Sequence, residues 1–362
     1  MSIPVTQLDV SAFTIPTDFP EADGTIEWDS TTIIIVEAHA GGQTGIGFTY
    51  GDLAAGRLVD RVLTPLILGK DAMTIEERWS SMLRAVRNIG RPGIASHAIA
   101  AVDIALWDLK ARILNVPLAL LLGGVRRGIP VYGSGGFTSY SIEQIRAQFA
   151  VWVGQGITKV KMKVGSNPSA DLYRVRAAKQ SIGANADLFV DANGAYTRKQ
   201  ALDFAENFAA YDVKWFEEPV SSDDLDGLRL IRDRAPAGMD IAAGEYGYDT
   251  TYFRRMLDAQ AVDVLQADAT RCAGVTGFLE AAALANAHHL PLSAHTAPSI
   301  HAHLCCGIPS ACHLEYFHDH VRIERMLFDN VLEPVDGLLC PDPQRPGLGL
   351  ELKHSDAMKY AA

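Results

Sequence analysis

The feature that most constrains this chain is a rhythm in its middle and later parts. Short strand-like runs at 131–135, 158–164, 187–192, 213–217, 240–243, 262–267, 290–294 and 313–316 alternate with helical patterns. Parallel strands covered by helices on both faces should read as apolar. Here, however, Lys163, Asp191, Glu217, Glu245, Asp268, His295 and Glu315 mark the ends of successive runs, at intervals of 20 to 28 residues, about one strand plus one helix. In a closed β/α barrel those ends converge on the C-terminal mouth, where active sites are built. A doubly wound open sheet gives the same alternation but spreads the ends apart, so periodicity alone leaves both folds open and the polar residues favour the barrel.

The first third reads differently. Residues 5–10 and 31–38 are rich in β-branched side chains and predict two strands of a small antiparallel sheet, with Gly41-Gly42 as a turn. Residues 14–30 carry two prolines, a glycine and five acids, which is turn chemistry and predicts a mobile loop. In 94–114 the residues Ala98, Val102, Ala105, Leu109 and Ile113 recur at helical spacing and predict one buried face. Gly123-Gly124 then marks a link between domains.

Composition narrows the partners. The 362 residues carry a net charge of −11, so a polyanion such as nucleic acid is repelled. Hydrophobic residues make up 48%, ample for a core, yet no run approaches the roughly 18 apolar residues of a membrane span. Five cysteines without a C-x-x-C spacing read as reduced thiols, and the start lacks a signal-peptide pattern, so a cytoplasmic protein is expected. No phosphate-binding glycine loop follows any strand candidate.

Asp191, Glu217 and Glu245 close three successive runs and offer only hard oxygen donors, the set Mg²⁺ prefers. The plainer role for each is to cap the following helix. Three together beside lysines are harder to explain as caps. Lys159, Lys161 and Lys163 alternate with Val160, Met162 and Val164, which puts all three on one strand face. A solvated edge strand would show the same pattern, but the neighbouring acids would compensate ammonium groups turned into a barrel. Asp268 and His295 end adjacent strands in the barrel order, and a carboxylate beside an imidazole makes a general base. His301 and His303 read as packed or capping histidines, and Cys305-Cys306 as inert core.

These residues resemble a known family. Lys161-Met162-Lys163, Asp191-Ala192-Asn193-Gly194, Glu217-Glu218-Pro219, Gly244-Glu245, Asp268 in DATRCAGVTG, His295 in SAHTAPSIHAH and Glu315 in HLEYF are similar, in order, to the mandelate racemase subgroup of the enolase superfamily. Residues 101–124 resemble that family's junction between cap and barrel. The resemblance implies a (β/α)7β TIM-like barrel at 126–334 under an α+β capping domain at 1–125, with 335–362 returning to the cap and a specificity segment near 14–30. It also implies Mg²⁺ on Asp191, Glu217 and Glu245, and a small carboxylate substrate whose α-proton is removed. Lys163 and His295 would be the two bases, His295 oriented by Asp268. Lys161 would hold the carboxylate and keep Lys163 partly neutral, Glu315 would face the enediolate, and Asn193 would support substrate binding. A homo-oligomer is expected, since members of the family commonly assemble.

With bases on two faces, the reaction is either dehydration of an acid sugar to a 2-keto-3-deoxy acid or racemisation or epimerisation of a 2-hydroxy acid. The polar, acidic 14–30 segment favours the sugar acid. A Schiff-base aldolase and a catalytically silent scaffold are more distant alternatives, opposed by the carboxylate trio and by the complete set of strand-end groups. Substrate choice is expected to lie in 14–30, in the turn at 48–52 and in the loop after Glu245.

Overall fold

The computed structural model describes residues 2–362. The N-terminal part forms an antiparallel sheet in the order β1 (Gln7–Ala22), β2 (Glu27–Ala40) and β3 (Gln43–Tyr50). The long helix α2 (Ile94–Ile113) covers it, and α1 (Ile75–Ala85) packs in turn against α2. Helix α2 lies so close to β3 that a Cβ at Gly45 or Gly47 would collide with the carbonyls of Ala105 and Ala101. Ile34, Val36, Ala98, Val102 and Leu109 fill the space between.

The expected mobile loop at 14–30 is not one: those residues are the outer part of a two-stranded ribbon. Pairing runs from Gln7 with His39 to Pro16 with Ser30 and resumes at Glu21 with Trp28. The prolines bracket the interruption, where a missing N–H costs no ladder bond. Turn-forming composition is overridden by tertiary anchors that a local reading does not contain. Thr138 donates to the carbonyls of Ala22 and Asp23, Ser139 Oγ to Pro20 O, and Arg322 to Pro16 O. Only the tip remains a turn, where Asp23 accepts from the backbone of Thr25 and Ile26.

Eight parallel strands follow: β4 (Ile129–Gly135), β5 (Lys159–Lys163), β6 (Asp187–Asp191), β7 (Val213–Glu217), β8 (Asp240–Ala243), β9 (Val264–Ala267), β10 (Leu292–Ala294) and β11 (Ala311–Phe317). They pair in chain order and β11 closes on β4, so the sheet is a barrel and not an open, doubly wound one. The connecting helices are α3 (Ile142–Gly154), α4 (Pro168–Ile182), α5 (Arg198–Ala209), α6 (Leu225–Arg234), α7 (Thr250–Asp258), α8 (Gly274–Ala287) and α9 (Pro298–Gly307), with α10 (His318–Leu327) after β11. Local signals set their starts: Ser141 and Thr197 form capping boxes with Gln144 and Gln200. The end of the chain returns to the cap, where Ala362 N donates to Ala12 O. Among the described residues no helix is long and apolar enough to cross a membrane, and the five cysteines are free.

Candidate active site

The barrel brings the strand-end residues together beneath the ribbon. Asp191 and Glu217 are the last residues of β6 and β7, and Glu245 lies two residues beyond β8. Each offers a carboxylate oxygen within 4.8 Å of the others, and all three are buried. None caps the next helix: that role falls to Thr197, Asp224 and Asp249.

The lysine strand splits by depth. Lys159 stays near the bottom, half-buried and 4.0 Å from Asp187. Lys161 is fully buried, with Nζ 2.7 Å from both Glu217 oxygens, 2.9 Å from Glu315 Oε1 and 3.3 Å from Asp191 Oδ2. Lys163 Nζ lies 2.5 Å from Asp191 Oδ2. Burial works against charge on both lysines, but the carboxylates outweigh it and hold both above the usual lysine range. Lys161 does depress Lys163, but Asp191 is the stronger neighbour in this arrangement, so Lys163 is held charged and not partly neutral as the resemblance implies. Any cation that shares Asp191 weakens that hold.

On the other side of the mouth His295 follows β10. Its Nδ1 is 2.8 Å from Asp268 Oδ2, and its Nε2 is 3.4 Å from Glu245 Oε2 and 3.7 Å from Glu315 Oε2. Despite burial, the bond to His295 and the cations around it keep Asp268 ionised, far below the ordinary range. Glu315 accepts from Thr296 N at 3.2 Å as well as from Lys161. Asn193 sits with φ +45 just past β6, its N–H donating to Asp191 Oδ1 and its buried Oδ1 without a partner among the described residues.

Other residues at the mouth carry no role in the sequence reading. Arg271, inside the DATRCAGVTG stretch, reaches Glu245 Oε1 at 3.3 Å and lies over the Tyr246 ring. Glu218 is buried next to Glu217, and burial and the surrounding acids push its carboxyl well up. His301 is packed, as expected, but also tied to the site: its Nδ1 is 2.7 Å from Thr296 O and its Nε2 accepts from Ala269 N. A cavity of about 270 Å³ separates barrel mouth and cap, bounded by Lys163, Asn193, Glu245 and His295 below and by Trp28, Thr32 and Tyr50 above.

Comparison with known proteins accounts for both parts of this architecture. Residues 144–357 match the model for the enolase C-terminal domain-like family, and residues 10–123 match the mandelate racemase / muconate lactonizing enzyme N-terminal domain. The chain belongs to the enolase superfamily. A mandelate racemase/muconate lactonizing enzyme-like protein from Rubrobacter xylanophilus has the same fold, with TM-score 0.97 and 54% identity over 99% of this chain and 100% of that one. Two curated superfamily relatives have named activities. The 3,6-anhydro-alpha-L-galactonate cycloisomerase of Streptomyces coelicolor is 32% identical over 95% of both chains. The L-talarate/galactarate dehydratase of Salmonella typhimurium is 33% identical over 88% of this chain and 80% of its own. A crystal structure of that dehydratase, liganded with Mg and L-lyxarohydroxamate, superposes with TM-score 0.92 at 29% identity, covering 100% of this chain and 94% of that one.

Proposed function

We propose that this chain removes the α-proton of an acid sugar in the presence of Mg²⁺ and expels the β-hydroxyl, giving a 2-keto-3-deoxy acid. The observation that carries the reading is the flanking of one carboxylate cluster by two proton-handling groups. Lys163 touches it at Asp191, and the His295–Asp268 pair reaches it at Glu245. An amine on one side and an imidazole on the other serve a reaction in which one proton leaves carbon and another joins a departing oxygen.

Asp191, Glu217 and Glu245 would hold the cation, and the site fits one. The donors are three buried hard oxygens, and Glu245 Oε2 has no hydrogen-bond partner among the described residues. Buried acids outnumber the lysines beside them, which leaves negative charge that burial penalises. When bound, Mg²⁺ supplies electrostatic stabilisation to a carboxylate that gains charge as its α-proton leaves.

The chain's own groups do the rest. Lys161, held by Glu217 and Glu315, places a fixed positive charge where the substrate carboxylate binds, which stabilises the charge-separated transition state more than the ground state. Lys163 takes the proton on its side. Asp268 accepts from His295 Nδ1–H and balances the charge of the imidazolium, whose Nε2–H delivers a proton to the leaving hydroxyl and leaves the neutral ring. Glu315 lies against the developing enediolate, and Asn193 is positioned by Asp191 to meet a substrate oxygen. Residues 1–125, 126–334 and 335–362 divide the labour as cap, barrel and returning segment. Assembly as a homo-oligomer belongs to the same reading and is checked by light scattering.

Racemisation or epimerisation uses the same two groups if His295 returns its proton to carbon. The test is a panel of acid sugars and 2-hydroxy acids with Mg²⁺ in D₂O, read for 2-keto acid and for α-deuteration together. Keto acid formation supports dehydration, and deuterated substrate without keto acid supports the racemase. Exchange that survives in the Lys163→Ala, His295→Ala double variant sinks both residue assignments.

A further inference from the structure

We infer that the acid accepted here is a monocarboxylate with an uncharged polyhydroxy tail, an aldonate and not a dicarboxylic aldarate, and that Tyr50 and His320 read that tail. The inference rests on the proposed function, because it takes the reacting carboxylate to sit at the carboxylate trio. The remainder of the substrate must then lie against the opposite wall of the 270 Å³ cavity, whose size suits a single small sugar acid.

That wall comes from the cap and from α10: Trp28, Ser30, Thr31 and Thr32 of β2, Tyr50 of β3, and His320. Among the described residues that line the cavity, the Lys and Arg side chains are Lys163 and Arg271, and both are committed at the metal end. Lys163 is paired with Asp191. Arg271 spans the carbonyl and carboxylate of Glu245 and lies over Tyr246. Behind the far wall stand acids: Trp28 Nε1 donates to Glu21 at 2.9 Å and Thr31 Oγ1 to Asp319 at 2.5 Å. A second substrate carboxylate placed there would lose its water without gaining a free cation: burial holds the Glu21 carboxyl up at about 9, so it is a neutral neighbour, and Arg322, which does not line the cavity, is already paired with Asp319 at 2.7 Å.

The wall does offer neutral groups. The Tyr50 ring stacks on His320 with centroids 3.5 Å apart, which fixes its direction. Tyr50 lines the cavity, and its hydroxyl is buried and has no hydrogen-bond partner among the described residues. A buried hydroxyl without a partner is costly, and a ligand hydroxyl relieves that cost. Ala297 N donates to His320 Nδ1 at 3.4 Å, which leaves the ring proton on Nε2. Burial holds this imidazole down, at about 3, so it presents a neutral N–H and not a charge. A phenol and a neutral imidazole suit an alcohol and give a carboxylate no ion pair.

The experiment compares aldonates with the aldarates of the same configuration, using Mg²⁺-loaded full-length protein and 2-keto acid formation. For whichever configuration reacts, kcat/KM should favour the aldonate at least tenfold. A smaller preference, or the reverse, overturns the inference and leaves the proposed function standing. Failure of every acid to react, or to bind by calorimetry with Mg²⁺, removes the proposed function and this inference with it. Tyr50→Phe isolates the tail contact, and its folding is monitored by thermal melting. It should slow α-proton exchange of a six-carbon aldonate at least tenfold more than exchange of glycerate, which lacks the tail. Equal effects on the two acids overturn the assignment of Tyr50.

Discussion

His295 and Asp268 are joined through a single short contact, Nδ1 to Oδ2 at 2.8 Å, while the other oxygen of Asp268 accepts from both Thr270 N and Thr270 Oγ1 at 2.7 Å. The carboxylate is clamped from behind and the imidazole has one orientation left. Replacing Asp268 by Asn keeps the size but offers an amide where an acceptor is needed. D268N should lower the rate of the His295-dependent step by about 10²- to 10⁴-fold, the usual worth of a positioned acid or base. Proton exchange on the Lys163 side should fall much less. Deuterium incorporation followed stereospecifically by NMR separates the two.

The carboxylate trio predicts a metal-dependent melting temperature. A ligand at a hundred times its dissociation constant stabilises the folded state by about 2.7 kcal/mol. Mg²⁺ should therefore raise the melting temperature by several degrees and a chelator should reverse the rise. In E217Q the increment should shrink to near zero. An unchanged increment in that variant would remove Glu217 from the ligand set.

Glu324, outside the trio, gives stability a pH dependence of its own. It is buried in α10, and although Ser299 donates to it, burial raises its carboxyl from 4.5 to about 8. Below pH 4.5 folded and unfolded chains both carry the proton. Between 4.5 and 8 only the folded chain keeps it, so this group costs stability as pH rises, by a few kcal/mol once pH exceeds 8. Glutamine keeps an acceptor for Ser299 and does not ionise. E324Q should gain on the parent steadily from pH 5 to pH 9 in urea denaturation, and a constant difference would refute the burial argument.

The close approach of β3 to α2 predicts a large effect from one methyl group. In G47A the new Cβ meets the Ala101 carbonyl inside a well-packed cap. Overpacking of this kind costs roughly 1–3 kcal/mol. The melting temperature should drop, while Mg²⁺ affinity, set by the barrel, should stay near the parental value.

The barrel was written into the chain because its signals are local and repeated. Runs such as 213–217 and 240–243 coincide with β7 and β8, since β-rich stretches between helices need no distant information. The convergence of Lys163, Asp191, Glu217, Glu245, Asp268, His295 and Glu315 follows from barrel closure alone. The ribbon at 14–30 was illegible because its order comes from Thr138, Ser139 and Arg322, more than a hundred residues away. Arg271 stood inside a quoted motif but carried no spacing signal of its own. Tyr50 lay in a turn already marked for specificity, whereas nothing local distinguished His320, whose stacking partner Tyr50 is 270 positions distant.

One irregularity in that ribbon has an evolutionary reading. Strand pairing is regular up to Pro16 and resumes at Glu21, so the intervening residues belong to neither register. Lengthening or trimming the chain there would change how far the tip reaches over the substrate without sliding the sheet below it. Descendants of this scaffold could thus acquire new diets by tinkering with a few positions, while the reactive machinery in the barrel stays as inherited.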